Sequence, residues 1–264
     1  MKVKILIAAH KKYDVPKDDC YLPLHVGCEG KNPIGFEGDN RGDNISNKNP
    51  QFCELTGIYW AWKNLDCDYL GLVHYRRYFK GTSKFDYTDS KGNKKSAMIL
   101  GEDDIASLLK DSDIIVPKAR NYMIETIYSH YANTLNAKDL DLTREIILEK
   151  YPVDVLSFDN VVKAKKAHMF NMFIMKKEMS DEYCKWLFDI LYELERRIDI
   201  SDYTDFQKRL FGRVSEILLN VWIEKMDYKC KEVKVVNLEG EKIIKKAFAF
   251  LGAKLFKKKY KKSF

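Results

Sequence analysis

The run His74-Tyr75-Arg76-Arg77-Tyr78 puts an imidazole, two guanidiniums and two phenols directly behind the apolar residues 70–73. Arg offers a planar fork of donors matched to phosphate oxygens, so His74, Arg76 and Arg77 suit a diphosphate. The same residues also fit a packed histidine and two surface ion pairs, and the run alone leaves both readings open. A second basic pair, His10-Lys11, closes the apolar run 5–9, where a shared crevice and a solvated loop are the alternatives. The stretch Gly38-Asp39-Asn40-Arg41-Gly42-Asp43-Asn44 repeats Gly-Asp-Asn. Its oxygens suit sugar hydroxyls or a hard cation, and equally two Asx turns; the spacing is not that of an EF-hand. Asn171 interrupts the apolar run 169–175. A polar side chain there either tethers a neighbouring backbone or faces a ligand. Arg213 and Glu216, three apart, share a helix face, as a functional pair or a surface ion pair.

These residues need a scaffold, and the patterning supplies one. Residues 5–9, 69–73, 114–117 and 169–175 read as short buried strands, and an open α/β sheet presents ligands at the carboxyl ends of such strands. Residues 14–50, with Pro16, Pro23, Pro33 and Pro50, read as a long irregular loop. Asn49-Pro50 predicts a helix start, and Phe52, Leu55, Tyr59 and Trp62 form one apolar stripe from which Glu54 is excluded. Residues 80–103 read as an exposed polar excursion and 102–110 as a short helix. Residues 121–167 read as mostly helical, with His130 a structural histidine. Helices are expected over 177–197 and 206–226, and an edge strand over 231–238.

The chain has 264 residues, 45% hydrophobic and 32% charged, the profile of a globular protein with ample chain for a core. No apolar stretch approaches the ~20 residues that span a bilayer, and residues 1–10 do not resemble a signal peptide. The six cysteines, Cys20, Cys28, Cys53, Cys67, Cys184 and Cys230, show no zinc-type spacing and are expected to be reduced thiols of a cytoplasmic protein. In that setting Arg41-Gly42-Asp43 and Asn44-Ile45-Ser46 are not an adhesion or a glycosylation signal. The net charge of +7 is uneven: residues 242–264 carry nine lysines and no acid, leaving the remainder at −2. Ile244, Phe248, Leu251 and Leu255 lie on one helical stripe among those lysines. This predicts a basic amphipathic helix lying on an anionic membrane surface through residues 241–264. Its apolar content favours lipid over nucleic acid, so no nucleic-acid partner is expected.

The blocks Gly38–Ser46, Glu54-Leu55-Thr56-Gly57, Gly71-Leu72-Val73-His74-Tyr75-Arg76-Arg77-Tyr78-Phe79, Asn171-Met172-Phe173-Ile174-Met175 and Phe211-Gly212-Arg213-Val214-Ser215-Glu216 occur in that order. Together they resemble, over about residues 3–225, a bacterial family long catalogued as a domain of unknown function. That family is found with capsule and exopolysaccharide glycosyltransferases, and some relatives are described as galactofuranosyltransferases. The chain is also similar to A-type nucleotide-sugar glycosyltransferases, in which a strand like 68–72 precedes an Asp-x-Asp that holds a divalent metal. Here His74-Tyr75-Arg76 stands at that place, and Asp66-Cys67-Asp68 lies before the strand. No cofactor is therefore assigned, and dependence on Mn or Mg is left open.

The resemblance implies an α/β fold, A-type glycosyltransferase-like (Rossmann-like), with a mixed, mostly parallel sheet flanked by helices. Residues 1–238 would form this domain and 239–264 the basic amphipathic tail. It implies a nucleotide-sugar donor bound by His10, Lys11, Asp39, Asn40, Asn44, His74, Arg76 and Arg77. Glu216, then Asp43, are the expected catalytic carboxylates, with Asn171 and Arg213 on the acceptor side. The expected activity is transfer of a hexose from a UDP-sugar to a lipid-linked oligosaccharide acceptor, at the inner face of the cell membrane. A metal-dependent sugar-nucleotide hydrolase built on Asp39 and Asp43, and a non-catalytic membrane- or nucleic-acid-binding module, are the alternatives.

Overall fold

A computed structural model describes residues 1–239. The tail expected from residue 239 onward therefore lies outside the described residues, apart from Glu239. The strands are β1 (Val3–Ala9), β2 (Tyr21–His25), β3 (Glu37–Gly38), β4 (Tyr69–His74), β5 (Arg77–Thr88), β6 (Lys94–Ile99), β7 (Ile114–Pro117), β8 (Arg120–Asn121), β9 (Lys166–Ala167), β10 (Phe173–Lys176), β11 (Cys230–Val233) and β12 (Val235–Asn237). The helices are α1 (Asn49–Phe52), α2 (Leu55–Asn64), α3 (Glu102–Leu108), α4 (Ile127–Thr134), α5 (Ala137–Lys150), α6 (Val155–Lys163), α7 (Lys177–Arg197) and α8 (Leu210–Met226).

The frame is a sheet of order β11-β7-β10-β4-β1-β2-β3, parallel except where β10 runs against β4 and β7. It is the mixed, mostly parallel sheet flanked by helices that the sequence leads one to expect. Strand residues alternate between two cores, as the period of two requires. Leu6, Leu70, Leu72, Ile114, Val116, Phe173 and Met175 face α2 and α4–α8. Ile5, Ile7, Val73, Ile115 and Ile174 face Tyr78, Phe79, Phe85 and Ile105, from the β5–β6 hairpin and α3. Among the described residues no helix is long and apolar enough to cross a membrane.

Several local expectations are corrected. Residues 14–50 are not irregular throughout: β2 lies parallel to β1, with Pro23 opposite Ile7. Pro23 and the mixed pattern of the loop mask a strand that gains its order from β1. Residues 80–103 form the long β5–β6 hairpin, hidden by its exposed polar alternation. The helix expected from Asn49 is two helices. Asn49 lies inside α1 rather than capping it, and the chain breaks at Cys53, whose φ is 54°. Asn171 is not within a strand: β10 starts at Phe173, and Phe170 (φ 75°) and Asn171 (φ 53°) form a left-handed turn before it. The last edge strand is two strands, β11 on β7 and β12 on β5.

Candidate active site

The carboxyl ends of β1, β4 and β7 lie along one edge of the sheet. The amino ends of α2, β10 and α8 return to that edge, because those elements run opposite to the strands they adjoin. The His-Tyr-Arg-Arg-Tyr run is the reversal from β4 into β5, with His74 paired to Arg77 across it. Paired residues share a face, and both side chains meet the left-handed turn. His74 Nε2 lies 2.7 Å from the Phe170 carbonyl oxygen, and the Arg77 guanidinium stacks 4.6 Å from the Phe170 ring centre. Tyr75 and Arg76 occupy the reversal itself. Tyr75 stacks on Tyr13 at 4.0 Å and receives His10 edge-on at 5.0 Å, while Arg76 covers Tyr75 and pairs with Glu239 at 3.1 Å.

The turn at 170–171 is held from both sides. The Phe170 N–H donates to Glu216 Oε2 at 3.1 Å, and Arg213 Nη1 reaches Glu216 Oε1 at 3.2 Å. Asn171 is 1% exposed, and its amide donates to Glu54 Oε1 at 2.8 Å and to the Gly212 carbonyl at 3.1 Å. Ser215 Oγ donates to Asn171 Oδ1 at 3.1 Å. Gly212 matters here: a Cβ at that position would stand 3.2 Å from both Cβ and Sγ of Cys53, where α8 meets the break before α2. The tether reading of Asn171 is thus realised, and a ligand-facing role for its side chain would require displacing one of these partners.

The charges fall into two groups. Burial is the main cause of a lowered Arg77 pKa; Arg76 lowers it further, while Glu216, Tyr75 and Glu54 oppose. Partial desolvation lowers His10 below the usual histidine value even though the residue is exposed, reinforced by Lys11, Arg76, Lys31 and Arg209. His10 therefore sits in the field of four cations. Arg209 Nε reaches Cys53 Sγ at 3.1 Å, and its pKa is raised by Cys53 first and then, against burial, by Glu54 and Glu216. His10, Arg76 and Arg209 are thus electrostatic neighbours, His74 and Arg77 meet at Phe170, and Arg77 and Arg209 feel the two carboxylates Glu54 and Glu216. The cations can neutralise a diphosphate; the carboxylates can accept a proton from a hydroxyl.

The Gly-Asp-Asn repeat does not join this cluster in the way its letters suggest. Asp39 is fully buried, and its carboxylate accepts from the N–H groups of Gly27 and Cys28 and the hydroxyls of Ser46 and Thr56. With both oxygens engaged, Asp39 ties the loop to α2 and β2. Asn40 is exposed and donates to Glu29, and Asn44 closes a turn through Gly42 and Ser46. Asp43 is tied by its backbone to Asn64, at the far end of α2 from Glu54, and accepts from Tyr59 Oη. Ten helical residues separate those ends, about 15 Å. Lys11 is exposed and lies over the Tyr13 ring.

Where a divalent ion bridging a diphosphate would need carboxylates, at the end of β4, the side chains are an imidazole and two guanidiniums. This donor set does not fit a resident hard cation. Among the described residues no group of three or more His, Cys, Asp or Glu side chains is placed to hold a metal ion.

Sequence reasoning missed Glu54, Phe170 and Arg209 as site residues. Glu54 left a trace as the carboxylate off the α2 stripe at a helix start. Phe170 left one as the neighbour of Asn171 in the run that the resemblance places on the acceptor side, and Arg209 left none.

The family model described as Domain of unknown function (DUF4422) matches residues 4–227. No curated protein matches the chain. Among solved structures, the apo structure of WbbM, a bifunctional glycosyltransferase, is similar with a TM-score of 0.82 and 32% identity, covering 91% of this chain. The chain spans 46% of the length of the WbbM chain.

Proposed function

Since the chain belongs to the DUF4422 family, we propose that it is a glycosyltransferase that uses a nucleoside diphosphate sugar. The single observation that carries this reading is the gathering of His74, Arg76 and Arg77 at the carboxyl edge of the sheet, with Arg77 in the field of Glu54 and Glu216. The similarity to WbbM supports the reaction class. In the proposed step the acceptor hydroxyl oxygen attacks the anomeric carbon of the donor, and the bond from that carbon to the diphosphate oxygen breaks. The hydroxyl proton passes to a carboxylate, and the charge growing on the leaving diphosphate is met by Arg77, Arg76 and His74.

Of the two carboxylates, Glu54 is half-buried and bonds Asn171 through one oxygen, whereas Glu216 is buried with each oxygen already bonded, to Phe170 and Arg213. We assign proton acceptance to Glu54 and the holding of the 170–171 turn to Glu216, whose charge also balances Arg77. UDP is the proposed nucleotide and a hexose the sugar, with galactofuranose the first to test. The proposed acceptor is a lipid-linked glycan of capsule or exopolysaccharide synthesis, met at the cytoplasmic face of the membrane by a peripherally bound enzyme. The hydrolase alternative loses support, because Asp39 is saturated and Asp43 stands at the other end of α2.

The test is calorimetric titration of UDP, with and without manganese, into the wild type and Arg77→Ala. Binding without metal that is lost in the variant is the expected result. No binding, or binding only with manganese, overturns the assignment of the diphosphate site.

A further inference from the structure

β8 and β9 form a two-stranded ribbon, pairing Arg120 with Ala167 and Asn121 with Lys166, that follows the end of β7 and adjoins α4 and α6. At its tip Met123 and Ile124 are 71% and 63% exposed, adjacent apolar side chains held outward by a left-handed Met123 (φ 60°). The tip is built: Asn121 Oδ1 accepts the Met123 N–H at 2.9 Å, and the Tyr122 N–H donates to the Lys165 carbonyl at 2.9 Å. Lys118, Arg120, Lys165 and Lys166 surround it and are all exposed. Of the neighbouring acids, Glu125 is engaged with His130 and Asn133, and Glu232 accepts the Ala119 N–H at the base of the ribbon. Leu148, by contrast, lies beside Glu145 and Glu149 on α5.

We infer that the β8–β9 ribbon is a membrane-contact element that seats Met123 and Ile124 in the interface of an anionic phospholipid bilayer, with its lysines and Arg120 on the headgroups. A pair of exposed apolar residues ringed by cations matches the two components of interfacial binding, apolar burial and attraction to anionic lipid. Charge decides the occupant. The exposed cations around Met123 and Ile124 call for an anionic partner, which residues 242–264, with nine lysines and no acid, do not supply. The ribbon also reaches the candidate site, for Tyr122 Oη donates to Met169 Sδ at 3.0 Å and His130 packs on the Tyr122 ring. Contact through the ribbon would therefore bring the edge bearing Phe170, Glu54 and Arg77 toward the bilayer. This inference stands independently of whether the chain transfers a sugar.

The experiment uses the full chain carrying Ile124→Trp, with vesicles of phosphatidylcholine alone or mixed with phosphatidylglycerol, some made with brominated acyl chains. The expected result is bromine quenching above that of the wild type, only with the anionic vesicles. In co-sedimentation, Lys165→Gln/Lys166→Gln lowers the partition coefficient about tenfold or more, and Met123→Ser/Ile124→Ser lowers it as well. Co-sedimentation without added quenching at position 124 would leave membrane contact to the tail and overturn the inference. Binding of duplex RNA or DNA that is lost in Lys165→Gln/Lys166→Gln, with vesicle binding unchanged, would also overturn it and make the ribbon a nucleic-acid surface.

Discussion

The Asn171 amide donates to the Glu54 carboxylate across 2.8 Å, joining residues 117 positions apart. One contact thus fixes both the left-handed turn before β10 and the carboxylate at the start of α2. Left-handed backbone disfavours most side chains, and Asn is among the few that tolerate it.

Asn171→Ala removes a donor from Glu54 and from the Gly212 carbonyl, and an acceptor from Ser215, in a buried setting. The expected cost is about 2–3 kcal/mol of stability, read from the denaturant midpoint at unchanged slope. Transfer per folded molecule falls too, since Glu54 loses its fixed position.

Arg77→Ala keeps the fold, because the guanidinium packs on Phe170 at the sheet edge rather than within either core. It lowers kcat/KM for transfer by about 10²–10³-fold, the usual cost of one charge-stabilising donor. Arg77→Lys restores only part of this, because an ammonium cannot reproduce the planar stack and fork. Wild-type turnover in Arg77→Ala would remove the residue from the mechanism.

His10 yields a pH prediction. Its pKa in the protein lies below 6.5, chiefly through partial desolvation and then the cations around it. Between that lowered value and 6.5 the unfolded chain binds more proton than the folded one, so stability falls as pH drops through this window. A bound diphosphate supplies the missing negative charge and raises the pKa. UDP binding then takes up a proton and tightens toward acid pH. Titrations in buffers of different ionisation enthalpy measure that uptake, and His10→Gln should reduce it to the share owed to UDP itself.

Asp39→Ala distinguishes a loop tie from a donor ligand. Four buried donors lose their acceptor, and the expected destabilisation is about 3–5 kcal/mol. UDP affinity of the folded fraction is retained. A variant of normal stability that no longer binds UDP would return Asp39 to the donor site.

Local patterning carries the frame and its chemical edge. Apolar runs of strand length, the α2 stripe and the long amphipathic helices are local patterns, and an apolar run ending in His74-Tyr75-Arg76-Arg77 places cations at a strand's carboxyl end whatever surrounds it. What those cations face depends on packing between distant parts of the chain. Glu54, Phe170 and the pair Arg209 and Glu216 come from three separate segments, and they meet because α2, β10 and α8 all return to one edge. The same limit explains the misread loop. Asp39 looks like a sugar ligand until Gly27, Cys28, Ser46 and Thr56 are seen to converge on it, and β2 is a strand because β1 offers it hydrogen bonds. Periodicity records which side of an element is apolar. Which polar group meets which is set by how the elements pack, and that is not written in any one of them.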